Sequence, residues 1–301
     1  MRLATKMFRR ATQLDGPARD ALTRVLAAPK FELIPLKNVD AQSGFLPAGA
    51  TVSVTASPAK GIEATIELSA RLAERGFRAV PHLSARMIRD RAHLRSVLAA
   101  LDAAGIERAF VVGGDADEPG EFPDGLSLLR AMADLGHRLT EIGIPCYPEG
   151  HPTIPDERLL AALAAKQPFA SYMTTQLCFD ARAIRTWLLA RRAAGISLPA
   201  TLGIPGVAEL HKLIEISARI GVRDSRRFMA KNTALVGRIL RPGGYRPDGL
   251  LAALAPLLLD PVADVHGLHI YTFNQVETTE EWRQAYLAGL AALAGSAPRS
   301  S

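Results

Sequence analysis

Eight short runs rich in β-branched and aromatic residues alternate with longer stretches of helical period, and this rhythm constrains the chain more than any other feature. The runs are FELIPL (31–36), TVSVTA (51–56), RAVPHL (78–83), RAFVVGG (108–114), IPCYPE (144–149), SYMTTQLCF (171–179), LPATLGI (198–204) and HGLHIYTFN (266–274). Between them, stretches such as GIEATIELSARLAERG (61–76), DRAHLRSVLAALDAAG (90–105) and FDARAIRTWLLARRAAG (179–195) place apolar residues at i, i+3, i+4 and i+7 and close on glycine, as helices do. Several runs are apolar on both faces, which suits parallel strands covered by helices. Eight strands with helical crossovers in about 270 residues is the size of a (β/α)8 TIM barrel, of the α/β class. An open doubly wound sheet is the alternative, but no G-x-G-x-x-G turn follows the first run.

The expected organisation is a basic helical extension over 1–30, one barrel domain over 31–294 and a disordered tail over 295–301. The seventh connection (205–265) should hold two or three helices, interrupted at RPGGYRPDG (241–249). Net charge bears on the partners. Residues 1–30 carry seven Lys/Arg against two Asp, a balance of +5, so the formal charge of +6 leaves only +1 for the other 271 residues. No basic stripe interleaves with aromatics, which argues against a nucleic-acid partner. The longest apolar run, LLAALAPLLL (250–259), is too short to span a bilayer and contains a proline, so no membrane association is expected. The first residues show no apolar signal region. Two cysteines form no disulfide framework and fit a reducing cytoplasm. A homo-oligomer is compatible with such a chain.

In a barrel, chemistry sits on the loops that follow the C-terminal strand ends. Glu32 lies inside FELIPL, opposite in strand alternation to Phe31 and Leu33. It is either half of an internal salt bridge or a carboxyl that its apolar surroundings keep protonated as a general acid. Thr55 and His82 stand near the ends of the second and third strands, where a threonine is usually a strand former and a histidine a satisfied hydrogen-bonding residue. Gly114 and Asp115 follow the fourth strand, as a tight turn or a close approach of backbone to ligand. The segment PCYPEGHPTIP (145–155) crowds Tyr147, Glu149 and His151 into one loop that its prolines and glycine keep out of helix. Gln176 is expected as a buried amide that needs partners for both ends. GIPG (203–206) opens the next connection with free N–H groups that suit an anion, and Tyr271, Thr272 and Asn274 close the eighth strand. Glu149 and His151 lack a third donor, and no zinc motif occurs, so no metal is expected.

Taken in order, F-E-L-I-P-L, S-V-T, P-H-L, G-G-D, Y-P-E-G-H-P, T-Q-L-C-F-D and H-I-Y-T-F-N resemble the methylenetetrahydrofolate reductase family over roughly 31–275. The resemblance implies reduction of 5,10-methylene-tetrahydrofolate to 5-methyl-tetrahydrofolate in one-carbon metabolism, with FAD as cofactor and NADH or NADPH as hydride source. By that likeness Glu32 is the general acid that protonates N10, and Asp115 faces the pterin. Gln176 bonds the pterin edge, Tyr271 lies on the substrate side, and Thr55, His82, Gly114, Tyr147 and His151 contact the flavin. The chain departs from the family pattern at Gly113, at EFPDGL (121–126), at DERLLAALAAK (156–166) and at Gln275. These departures thin the positions for the charged tail of the flavin. The alternatives are therefore hydride transfer from the nicotinamide straight to the folate, or a pterin-binding barrel that is non-catalytic or transfers a methyl group.

Overall fold

The computed structural model describes residues 14–151, 153–207 and 245–295. Its eight strands close into one parallel barrel in sequence order. They are β1 (Lys30–Leu33), β2 (Thr51–Val54), β3 (Arg78–Ser84), β4 (Arg108–Val112), β5 (Glu141–Cys146), β6 (Tyr172–Thr175), β7 (Ala200–Pro205) and β8 (Val265–Tyr271). Each overlaps one of the apolar runs, though β5 starts three residues before IPCYPE and ends at Cys146. The helices are α1 (Gly16–Ala27), α2 (Val39–Ser43), α3 (Gly61–Glu74), α4 (Arg91–Ala103), α5 (Gly125–Leu135), α6 (Asp156–Lys166), α7 (Ala181–Ala193), α8 (Asp248–Leu258) and α9 (Val276–Gly295). The helix expected after GIPG, and most of the connection from β7 to β8, lie outside the described residues, as do 296–301 of the tail.

Local chemistry sets the helix starts. Asp90, Asp124 and Asp180 each accept a backbone N–H of the first turn of α4, α5 and α7, which satisfies donors that have no partner inside the helix. Within the basic N-terminal stretch, α1 is capped by Asp15 and buries Ala18, Ala21, Leu22, Val25 and Leu26. Its last carbonyls are held by Arg283 of α9, whose Nη1 donates to Leu26 O at 2.6 Å.

Strand alternation divides the apolar residues between two places. Phe31 and Leu33 of β1, Ala109 and Val111 of β4 and Met173 of β6 join the large core beneath the helices. Val80, Phe110 and Tyr172 form a separate small cluster with Val112, on the alternate positions that face the barrel interior. Gly143 makes room for this cluster: a Cβ there would stand 2.3 Å from Tyr172 Cζ and 2.6 Å from Phe110 Cδ2. Other inward positions carry polar groups, and these form the site.

Candidate active site

The register of β1 places Glu32 level with Ser53 on β2 and Tyr271 on β8. Glu32 points into the lumen, its side chain 12% exposed, and its Oε2 lies 3.2 Å from His269 Nε2, whose side chain is 4% exposed. Of the two settings open to Glu32, an internal ion pair or apolar surroundings, the structure puts an imidazole against the carboxyl, because His269 and Tyr271 share the inward face of β8. Beside them His82 is within 2.7 Å of Ser53 Oγ through Nε2. Burial pushes the His82 imidazole down to about 4, with Glu32 opposing and His269 reinforcing the shift. His82 is therefore neutral at physiological pH, and its ring packs 4.8 Å from that of Phe110.

Backbone clamps fix the end of β1. Thr272 Oγ1 donates to Glu32 O. Asn274 accepts from Ile34 N through Oδ1 and donates to Ile34 O through Nδ2, both at 2.8 Å. Tyr271 lies with its ring 4.8 Å from that of His269, and its hydroxyl donates to Thr175 O at 3.3 Å. Burial holds that hydroxyl well above its ordinary range, and Glu32 adds to the effect. Tyr271 fits only because residue 203 is glycine, since a Cβ there would meet Tyr271 Cε2 at 2.8 Å.

Above this layer is the rim. Tyr147 and His151 meet edge to face, ring centroids 5.2 Å apart. His151 Nδ1 accepts from the N–H groups of Thr153 and Ile154 and so shapes its own loop. Burial raises the Tyr147 hydroxyl to about 12, with Cys146 and Asp115 acting in the same direction. Glu149 Oε1 accepts from Phe179 N at 2.9 Å and Asp180 N at 3.0 Å, and so ties the loop after β5 to the loop after β6. Thr55 is half-buried and continues the ladder to Leu33 O through its N–H. Gly114 adopts φ +88°, and a Cβ there would fall 1.9 Å from Ser84 Oγ. Asp115 is exposed at the rim.

Gln176 differs from expectation. It is exposed, and its Oε1 accepts from the adjacent Leu177 N at 2.8 Å. The strand stops at Thr175, and the chain beyond turns out to the rim where Glu149 takes its N–H groups. The structure thus unites Glu32 and His82 inside the barrel, with Tyr271 beside them, and sets Asp115, Tyr147, His151 and Gln176 around the mouth. Among the described residues no hydrogen bond joins Asp115 or Gln176 to Glu32. His269 and Ser53 were missed from the sequence, although the period-two alternation that turned Glu32 inward places both on the lumen face. Two buried hydroxyls near the mouth, Ser84 Oγ and Thr174 Oγ1, have no hydrogen-bond partner among the described residues.

Among the described residues no group of three His, Cys, Asp or Glu is placed to hold a metal, and no helix is long and apolar enough to cross a membrane. The chain resembles three solved structures at low identity. One, from Burkholderia cenocepacia J2315 and provisionally described as a lyase/mutase, is 14% identical over 95% of this chain and 90% of its own, with a TM-score of 0.43. A second from that organism, provisionally a phosphonomutase, is 16% identical over 74% of this chain and 99% of its own, with a TM-score of 0.38. The third, provisionally a deoxyribose-phosphate aldolase of Toxoplasma gondii ME49, is 11% identical over 90% of this chain and 97% of its own, with a TM-score of 0.45. None of the three bears on the chemistry of this chain. The family model for methylenetetrahydrofolate reductase matches residues 37–236, or 200 of the 301 residues. That span covers β2 to β7 with the rim loops between them, and leaves Glu32 and β8 to be argued from geometry. The chain belongs to the methylenetetrahydrofolate reductase family, and so to the oxidoreductases of folate chemistry.

Proposed function

We propose that the protein reduces 5,10-methylene-tetrahydrofolate to 5-methyl-tetrahydrofolate with hydride from NADH or NADPH, and that Glu32 is the proton donor. The observation that carries this reading is Glu32 itself: a carboxyl inside the barrel, side chain 12% exposed, in contact with a histidine. The bridging carbon accepts hydride only once it has iminium character, so N10 must first be protonated to open the five-membered ring. A positioned acid contributes about 10²–10⁴ in rate. His269 holds one carboxyl oxygen and leaves the other free for the substrate. Asp115 and Gln176 at the rim take the polar edge of the pterin. Tyr147, His151, Thr55 and Gly114 line the side on which the redox ring rests. We assign His82 and Tyr271 to the support of Glu32 and His269, since Ser53 occupies His82 Nε2 and Thr175 O occupies the Tyr271 hydroxyl.

Members of the family generally bind FAD, which supplies hydride transfer when bound. The residues described here do not fit its diphosphate where the resemblance would place it. Helix α6 starts with Asp156 and Glu157 after Pro155, without a side-chain cap. A diphosphate at that helix start would meet two carboxylates against a single cation, Arg158, and the other basic residue of α6, Lys166, stands at the far end. That acidic start favours direct transfer from the nicotinamide to the folate.

The test is oxidation of NADH or NADPH by the purified chain on addition of 5,10-methylene-tetrahydrofolate. Glu32→Gln should still bind the folate while turnover falls by about 10²–10⁴. Full activity in that variant would remove Glu32 from the mechanism. A flavin visible in the absorbance of the purified protein would overturn direct transfer and leave the proton-donor assignment standing.

A further inference from the structure

The strands begin at the pole opposite the mouth, and there the barrel holds a cavity of about 290 Å³ bordered by Lys30, Glu141, Ser171, Tyr172, Thr201 and His266. Lys30 reaches into it from β1. Its Nζ donates to Glu141 Oε1 at 3.3 Å and lies 3.3 Å from the centroid of the Tyr172 ring. Glu141 is shared, since Arg108 Nε donates to its other oxygen at 2.9 Å. One carboxylate thus serves two cations. The groups facing Lys30 are Glu141 of β5, Arg108 of β4 and Tyr172 of β6, with His266 of β8 on the cavity wall. Burial lowers the Lys30 amine to about 8; Glu141 opposes this and Arg108 adds to it. Burial also keeps the Tyr172 hydroxyl protonated far above its ordinary range.

We propose that this cavity is a modification site, where the Lys30 amine is acylated by small activated acyl donors of the acyl phosphate class. The neutral amine attacks the acyl carbon, the N–C bond forms, and the C–O bond to phosphate breaks. Inorganic phosphate leaves with the electron pair of that bond, and the amine proton passes to phosphate or water. The product amide is uncharged, which suits a position where burial already disfavours charge. Glu141 keeps Arg108 as a partner, so acylation leaves no buried carboxylate unpaired.

The experiment is incubation of the full chain with acetyl phosphate from pH 6 to 10 and quantification of each lysine by peptide mass spectrometry. At pH 8 Lys30 should be acetylated about tenfold faster than the exposed Lys37 and Lys60, because its larger neutral fraction outweighs the weaker nucleophilicity of a less basic amine. Lys166 is the control: burial lowers its amine too, but it does not border the cavity. Acetylation of Lys30 ahead of Lys166, rising to half its maximum near pH 8, supports the proposal. Equal rates at Lys30 and Lys37, or a Lys166 that reacts as fast as Lys30, would overturn it. Glu141→Gln should raise Lys30 labelling at pH 7, and an unchanged rate in the folded variant counts against the site as described.

Discussion

Asn274 gives the sharpest test of how the active-site strand is held. Its side chain accepts from Ile34 N and donates to Ile34 O, both at 2.8 Å, and donates to Asn38 Oδ1 at 3.2 Å. Its own φ is +51°, in the left-handed region, and it is 2% exposed. Substitution by alanine removes three hydrogen bonds and leaves the N–H of buried Ile34 unpaired, while its C=O keeps Leu36 N as a donor at 2.7 Å. The loss is about 3–4 kcal/mol at roughly 1 kcal/mol per bond plus desolvation of the N–H. Alanine in a left-handed conformation costs about 1 kcal/mol more, a cost that glycine avoids. Asn274→Gly should therefore lose about 3 kcal/mol and Asn274→Ala about 4. Urea denaturation of both variants, with the slope of the transition unchanged, measures the difference. Because Ile34 is two residues beyond Glu32, turnover should fall along with stability. A glycine variant within about 0.5 kcal/mol of the parent would show that these bonds do not hold the strand, since that is the scatter of featureless surface positions. An alanine variant no worse than glycine would remove the left-handed backbone from the account.

Two further outcomes follow from the same interior. His82 stays neutral down to about pH 4 in the folded chain, whereas the unfolded chain protonates it near its ordinary value of about 6.5. Its contribution to stability is thus fully present above pH 6.5 and is lost as pH falls from 6.5 toward 4, roughly 3 kcal/mol in all. Urea midpoints at pH 7, 5.5 and 4.5 should show this slope, and His82→Gln should flatten it. At the rim, Gly114→Ala combines φ +88° with a Cβ 1.9 Å from Ser84 Oγ, and should cost about 1–3 kcal/mol while raising KM through displaced Asp115. Adding Ser84→Ala should restore part of that loss, because it removes the hydroxyl but not the backbone strain; no recovery in the double variant would show that the contact is not the cause.

The barrel was legible because its signals are local. Each apolar run contributes one strand, and the aspartates just before α1, α4, α5 and α7 each accept a first-turn N–H. Glu32 could be turned inward because Phe31 and Leu33 are obligate core residues on either side of it. His269 obeys the same rule in HGLHIY, but it stands two positions before Tyr271, within the strand and not at the strand end where barrel chemistry is expected. Lys30, Arg108 and Glu141 each look like a solvated residue at the start of a strand. Only closure brings β1, β4 and β5 across one lumen, and no pattern within a single strand records that Lys30 and Glu141, 111 positions apart, share a hydrogen bond. Gln176 was expected inside because it continues an apolar run. Its N–H still donates to Cys146 O at 2.7 Å, but its side chain turns back to Leu177 N and stays exposed at the rim, where the strand ends.

The interior also explains how two sets of ionisable groups coexist in one barrel. Lys30, Arg108 and Glu141 occupy the floor, and Glu32, His82 and His269 occupy the layer beneath the mouth. Val80, Phe110 and Tyr172 form an apolar cluster that touches both sets. Lys30 sits over the ring of Tyr172 and His82 packs on that of Phe110, so the aromatic pair has a charged neighbour on one side and a protic one on the other. Among the described residues no hydrogen bond joins Lys30, Arg108 or Glu141 to Glu32, His82 or His269. A proton given up to substrate must then be replaced from the mouth or from His269, and not from the floor. Turnover against pH should accordingly keep its shape in Glu141→Gln and shift in His269→Gln, with kcat rather than KM carrying the change. A profile that moves equally in both variants would mean that the two layers titrate together across the aromatic belt, and the division of the barrel argued here would fail.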